Sequence, residues 1–134
     1  MVVVAPAPLS QRLLFVIRMV LAATWLYQGL WLKLIKVDPH HLAVVEAVGS
    51  VGGMSPRTFL MLVGSGETLL GIGAASGILW RFVTGFQIGL LVLMNSIGIL
   101  SGGVPNAAGL IVGNLPLLMC MIVVWNCGPG RLRE

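Results

Sequence analysis

Apolar runs long enough to cross a bilayer, which takes about 20 predominantly apolar residues, recur four times along the chain: Arg12–Leu32, Thr58–Leu79, Phe82–Leu100 and Ala107–Asn126. The residues between them predict where each helix begins. Ser55-Pro56 sets an N-cap before a first-turn proline. Trp80-Arg81 leaves a very short link between the second and third runs, and Ser101-Gly102-Gly103-Val104-Pro105-Asn106 is an uncharged turn rich in helix breakers. Links this short force antiparallel neighbours, so the pattern predicts an all-α fold, a transmembrane up-down four-helix bundle making a single membrane domain of residues 1–134. Only the first connection, Lys33–Arg57, is long. Within it Asp38-Pro39 opens another capped segment, Leu42, Val45 and Val48 share one face, Glu46 is left for water, and Gly49 stops the run. A helix over residues 39–48 is too short to span; it is expected to lie at the membrane surface or to plug one end of the bundle.

Composition agrees with spans rather than a water-covered surface. Hydrophobic residues make up 57% of the chain, charged residues 9%, and the mean hydropathy is +1.01. A soluble domain carries about 25% charged residues, so a soluble enzyme, a disordered tail and a free-standing nucleic-acid binder are excluded. The net charge of +4 comes from scattered basic residues and forms no patch for nucleic acid. Membrane lipid is the expected surrounding. Arg12, Arg81, Arg131 and Arg133 flank the spans on one side, Lys33, Lys36 and Arg57 on the other, and the positive-inside rule then favours both termini in the cytoplasm. Arg18 interrupts the first run where a cleaved signal peptide would be purely apolar, so this run is expected to be a mature span. Cys120 and Cys127 stand too far apart along one helix to bond each other and fit no redox or zinc spacing; they are expected to be small packing residues.

The polar residues inside the spans carry the chemical interest. An ionisable side chain there costs about 2.5–3.5 kcal/mol on insertion scales, and the chain places Arg18 in the first run and Glu67 in the second. Counted from the span ends, their backbones differ in depth by about 9 Å, a gap arginine can reach across. The expectation is a buried Arg18–Glu67 pair, which either locks the bundle's register or forms a ligand or proton site. Gln28, Glu67, Asn95 and Asn114, one from each helix at similar depth, predict an inward-facing polar cluster and possible ligand pocket. Gln87 is a further amide, and Pro116 frees the Val112 carbonyl beside Asn114. The pairs Gly73–Gly77, Gly85–Gly89, Gly98–Gly102 and Gly109–Gly113 are small-xxx-small faces for close packing, while Gly64, Gly66 and Gly71 thin the helix around Glu67. Trp25, Tyr27 and Trp31, with Lys33 beyond them, read as an interfacial aromatic belt with a snorkelling lysine, or as a stacking surface for a ring-shaped lipid-soluble ligand. His40 and His41 point about 100° apart, a poor chelating pair, and are expected to be solvated. No metal site, catalytic residue, haem-ligand pair, nucleotide loop or nucleophile triad stands out, and no covalently bound cofactor is expected.

Arg18 followed by Trp25-Leu26-Tyr27-Gln28-Gly29 and Lys33, then Asp38-Pro39 and a short helix, then Gly66-Glu67 with Gly71, resembles the DoxX-like membrane proteins. The resemblance covers residues 12–77 in detail, with Arg18, Gly29, Lys33, Glu67 and Gly71 as the matching positions; the third and fourth spans agree in number and length. It implies a four-helix integral protein of a prokaryotic inner (plasma) membrane with a quinone-linked or partner-binding role. The family takes its name from a small subunit associated with an archaeal quinol-oxidising terminal oxidase. Relatives are similar to the membrane part of thiosulfate:quinone oxidoreductase, others accompany redox-defence proteins, and more distant ones act as membrane chaperones for receptors. Gln28 stands where some relatives carry an acid, which argues against an active proton-coupled role. The resulting expectation is a DoxX-like accessory subunit that docks by helix faces onto other membrane-protein subunits of a larger redox complex and holds a quinone or lipid. Two alternatives stay open: a quinone-binding oxidoreductase component acting through Arg18 and Glu67, and a small transporter.

Overall fold

The computed structural model describes residues 9–132; Arg133, counted above for orientation, lies outside them. Helix α1 (Gln11–Leu26) starts where the Ser10 hydroxyl accepts from the Leu13 amide, and it continues without a break into a π-helical segment, Tyr27–Ile35. There the bonds lengthen to the i→i+5 kind, as in Lys36 N–H to the Trp31 carbonyl at 2.8 Å. The first spanning helix is therefore 25 residues long, Gln11–Ile35, rather than ending at Leu32, and it carries Lys33 inside it. Helix α2 (Pro39–Val48) is capped by Asp38, whose carboxylate accepts from the His40 amide, and closed by Gly49, as its residues predict.

The turn into α3 is tight. Met54 N–H bonds the Val51 carbonyl across Gly52 and Gly53, both at positive φ (58° and 76°), a pair of dihedrals that two glycines adopt freely. Helix α3 (Pro56–Ser76) is capped by Ser55 and stops at Gly77 in the left-handed conformation (φ 70°), three residues before the sequence pattern suggests. The link to the next span is Gly77–Leu79, and Trp80 and Arg81 form the first turn of α4 (Trp80–Leu100). Asn106, accepting from the Gly109 amide, caps α5 (Ala107–Cys127).

Four of these helices are long and apolar enough to cross a membrane. They form a ring in which α1 packs on α3 and α5, and α4 packs on α3 and α5, every neighbour antiparallel; α2 lies across one end against α3 and α4. The result is the up-down four-helix bundle with a short helix closing one end. Its central core is Leu21, Trp25, Met121 and Val124, with Leu70, Ile88 and Cys120 packed against it. Large apolar side chains such as Leu69, Phe82 and Val112 face outward, as lipid-bathed surfaces do. Lipid supplies no hydrophobic drive between such helices, so van der Waals packing and interhelical hydrogen bonds must hold the ring.

The tightest seam joins the π segment to α3. A Cβ on Gly29 would lie 2.7 Å from the Glu67 Cβ, the Gly64 carbonyl oxygen and the Thr68 nitrogen; one on Gly64 would lie 2.7 Å from the Lys33 Cβ; one on Gly71 would meet Leu26 at 2.7 Å. Of the four-residue glycine repeats, Gly73 and Gly85 do receive neighbours, Val83 and Trp125 at 3.0 Å, whereas Gly89 and Gly113 face open space. Close packing is concentrated between α1 and α3.

Candidate functional site

Beneath α2 the bundle holds a partly open cavity of about 350 Å³. The structure brings Gln28, Glu67, Asn95 and Asn114 onto its wall, so one polar residue from each spanning helix does face a common space. Lys33 lines it as well and is the partner of Glu67: Nζ donates to Oε2 at 2.6 Å, with both residues buried. Asn114 Nδ2 donates to Asn95 Oδ1 at 3.2 Å on the far wall. Trp25 contributes a ring whose buried indole Nε1 finds no protein acceptor.

Arg18 is not part of this site. Its Nη1 donates to the Ala74 and Ala75 carbonyls, each at 2.6 Å, and its Nε to the Pro129 carbonyl at 2.8 Å. A cation is placed here on the exposed carbonyls of the α3 C-terminus, where the helix dipole also favours it. The same guanidinium leaves no room for a side chain at Gly77. The expected Arg18–Glu67 pair fails on register. Gly29, not Arg18, is level with Glu67, and Gly29 lies 11 residues further along the same continuous helix (29 − 18), about 16 Å at 1.5 Å per residue. The 9 Å figure assumes that the two helices start and stop flush with each other, whereas α3 sits against the first helix so that Glu67 meets Gly29 and its last carbonyls, at Ala74 and Ala75, meet Arg18.

Three further expectations change. Trp25 belongs to the buried core rather than to an interfacial belt; Tyr27 and Trp31 are the exposed members of that trio. Lys33 does not snorkel but is 6% exposed and ion-paired. His40 and His41 both line the cavity, and of the two only His40 is exposed. The His41 imidazole is held below its ordinary range by burial first and by the Lys33 charge second, with Asp38, whose Oδ2 stands 3.4 Å from Nδ1, offsetting part of this. Asp38 itself sits below the usual carboxylate range: burial pushes it up, but the His40 amide and the charges of His41 and Lys36 outweigh that.

The cavity's chemistry is near-neutral. Lys33 is balanced by Glu67, and His41 is biased to its neutral form, leaving amides, an indole N–H and the two remaining ammonium protons as hydrogen-bonding groups. Among the described residues, no three His, Cys, Asp or Glu side chains come together to hold a metal ion. Lys33, a family-matching position expected at the membrane interface, and the two histidines, expected in solvent, stand at the cavity because the first helix runs on past Leu32 to Ile35 and α2 covers its end. The four-residue spacing Trp25–Gly29–Lys33 on one buried face was the signal available.

The sequence model of the DoxX-like family matches residues 22–122. That range contains Gly29, Lys33, Glu67 and Gly71, the residues of the tight seam and its ion pair, and leaves Arg18 outside. No curated protein and no solved structure gives a match.

Proposed function

The chain belongs to the DoxX-like family of membrane proteins, and from that premise we propose that it is a small accessory subunit of a larger, quinone-linked membrane complex, holding a quinone-type ring in the cavity beneath α2. The observation that carries this reading is the buried Lys33–Glu67 pair on the wall of a partly open, otherwise mostly apolar space. A volume of about 350 Å³ is at the small end of ligand sites, room for a ring-sized head and not for a whole lipid. The wall is rich in donors: the Trp25 N–H, the amides of Gln28, Asn95 and Asn114, and the free protons of Lys33. These suit a neutral head bearing carbonyl oxygens better than a phosphate, because Glu67 has already neutralised Lys33, the buried cation on the cavity wall. Trp25 supplies an aromatic face for a planar ring.

In this reading the subunit binds rather than reacts. Glu67 holds Lys33 in place, and docking to partner subunits uses the outward apolar faces of the spans. A path through the bundle is not favoured, since Leu21, Trp25, Met121 and Val124 fill the axis between the cavity and the Arg18 end. The setting is a prokaryotic plasma membrane with both termini on the cytoplasmic side, which puts α2 and the cavity mouth outside. Solubilisation of native membranes in a mild detergent tests the whole reading: this chain is expected to migrate with a large oxidoreductase and with extractable quinone. Migration as a lone species without quinone overturns it.

A further inference from the structure

The cavity does not end at the inner wall of the bundle. Leu91, Asn95 and Asn114 line it and also line a second space, a groove of about 220 Å³ between α4 and α5. The other walls of that groove include Val92, Ile111 and Leu115, all about half exposed on the lipid-facing side. At their shared wall an interhelical amide bond joins α5 to α4, Asn114 Nδ2 donating to Asn95 Oδ1 at 3.2 Å. Bonds of this kind between membrane helices are weak, so opening it is easy. Pro116, one half-turn on from Asn114, removes a helical bond to the Val112 carbonyl and gives α5 a place to bend.

We infer that the Asn95–Asn114 seam is a lateral portal, through which an amphiphile with a carbonyl-bearing ring and one apolar tail enters from the bilayer. The ring seats against Lys33 and Trp25, and the tail stays in the α4–α5 groove. This rests on the proposal that the cavity holds such a ring, and it adds the route and the requirement for a tail. The groove is apolar where a tail needs it to be, and the two asparagines stand where the ring's oxygens must pass.

The test uses the full chain in detergent with Trp31, Trp80 and Trp125 changed to Phe, so that fluorescence reports Trp25 alone. Dimethoxy-methyl-benzoquinone without a tail and its decyl homologue are titrated as quenchers, in this chain and in a second carrying Ser96→Phe and Ile111→Phe, which fill the groove but do not touch the cavity. Circular dichroism checks that both remain helical. The decyl compound is expected to bind at least tenfold more tightly than the tail-less one in the open-groove chain. In the filled-groove chain it should fall to the tail-less value, while tail-less binding stays unchanged. Equal affinity of the two compounds, or a tail advantage that survives filling of the groove, overturns the portal and leaves the cavity reading standing. Quenching by neither compound overturns the cavity reading and the portal with it.

Discussion

Lys33 and Glu67, 34 residues apart in the chain, meet at 2.6 Å inside the bundle, directly above the place where Gly29 and Gly64 let the π segment and α3 touch backbone to backbone. The two features depend on each other. Glycine at both positions brings the helices close enough for a short bridge, and the bridge repays part of the cost of burying two ionisable groups. Breaking one side leaves a charge with no partner. Glu67→Leu or Lys33→Met alone is therefore expected to destabilise the folded chain by about 3–5 kcal/mol, and the double variant to recover most of it. A double-mutant cycle of unfolding in mixed micelles checks this, and simple additivity would refute the coupling.

Glycine at the seam is expected to be irreplaceable in a position-specific way. Gly29→Ala puts a methyl 2.7 Å from three atoms, two of them backbone, so the helices must separate, at a cost of about 1–3 kcal/mol. Gly66→Ala, only two residues from Gly64 on the same helix, meets nothing within 4 Å and should be neutral or stabilising by about 0.5–1 kcal/mol from the helix preference alone. Thermal unfolding of the two variants side by side separates packing from propensity.

Arg18 is expected to act on the tail and not on the ligand. Arg18→Met removes three bonds to carbonyls, and one such bond to a charged donor is worth about 1.5–3 kcal/mol. Amide exchange in residues 128–132 should accelerate, because the Arg131 N–H to Gln11 carbonyl bond loses its neighbour, the anchored Pro129. Trp25 quenching by the tail-less benzoquinone should be unchanged. A loss of quenching with an intact tail would return Arg18 to the ligand site.

Acid is expected to loosen α2. The fold accommodates neutral His41, whose pKa lies below the ordinary 6.5, so the helix's docking is at full strength above pH 6.5. It weakens as the pH falls from 6.5 through the lower folded-state value. Asp38, also lowered, contributes stability that is present above its ordinary 3.8 and is lost as the pH falls through its own folded-state value. Of these two groups at the start of α2, His41 therefore governs the change between 6.5 and 3.8. Amide exchange over residues 42–48 should rise through this range in the parent chain and stay flat in His41→Gln.

The spans, α2 and the ring of antiparallel helices are readable from the residues because bilayer thickness and capping chemistry act locally: twenty apolar residues and an Asp-Pro or Ser-Pro start mean the same thing in any context. The polar cluster Gln28, Glu67, Asn95 and Asn114 is also reachable, since unpaired amides in lipid have nowhere else to turn. What depends on helix register is not. A continuation of the first helix by three residues to Ile35 keeps Lys33 inside the bundle, and an early stop of α3 at a left-handed Gly77 offers its last carbonyls, at Ala74 and Ala75, to Arg18. Neither shift leaves a mark in hydropathy. The buried position of Trp25 likewise follows from which face of α1 meets α5, a relation between elements that no single helix encodes.

The most direct test of the central claim, that the space around Lys33 and Glu67 holds a lipophilic ligand, is native mass spectrometry of the chain released from its own membranes. The parent chain is expected to carry a bound quinone-sized mass, and the charge-free Lys33→Met/Glu67→Leu variant to fold and to appear without it. The same adduct on both chains, or on neither, would contradict the account.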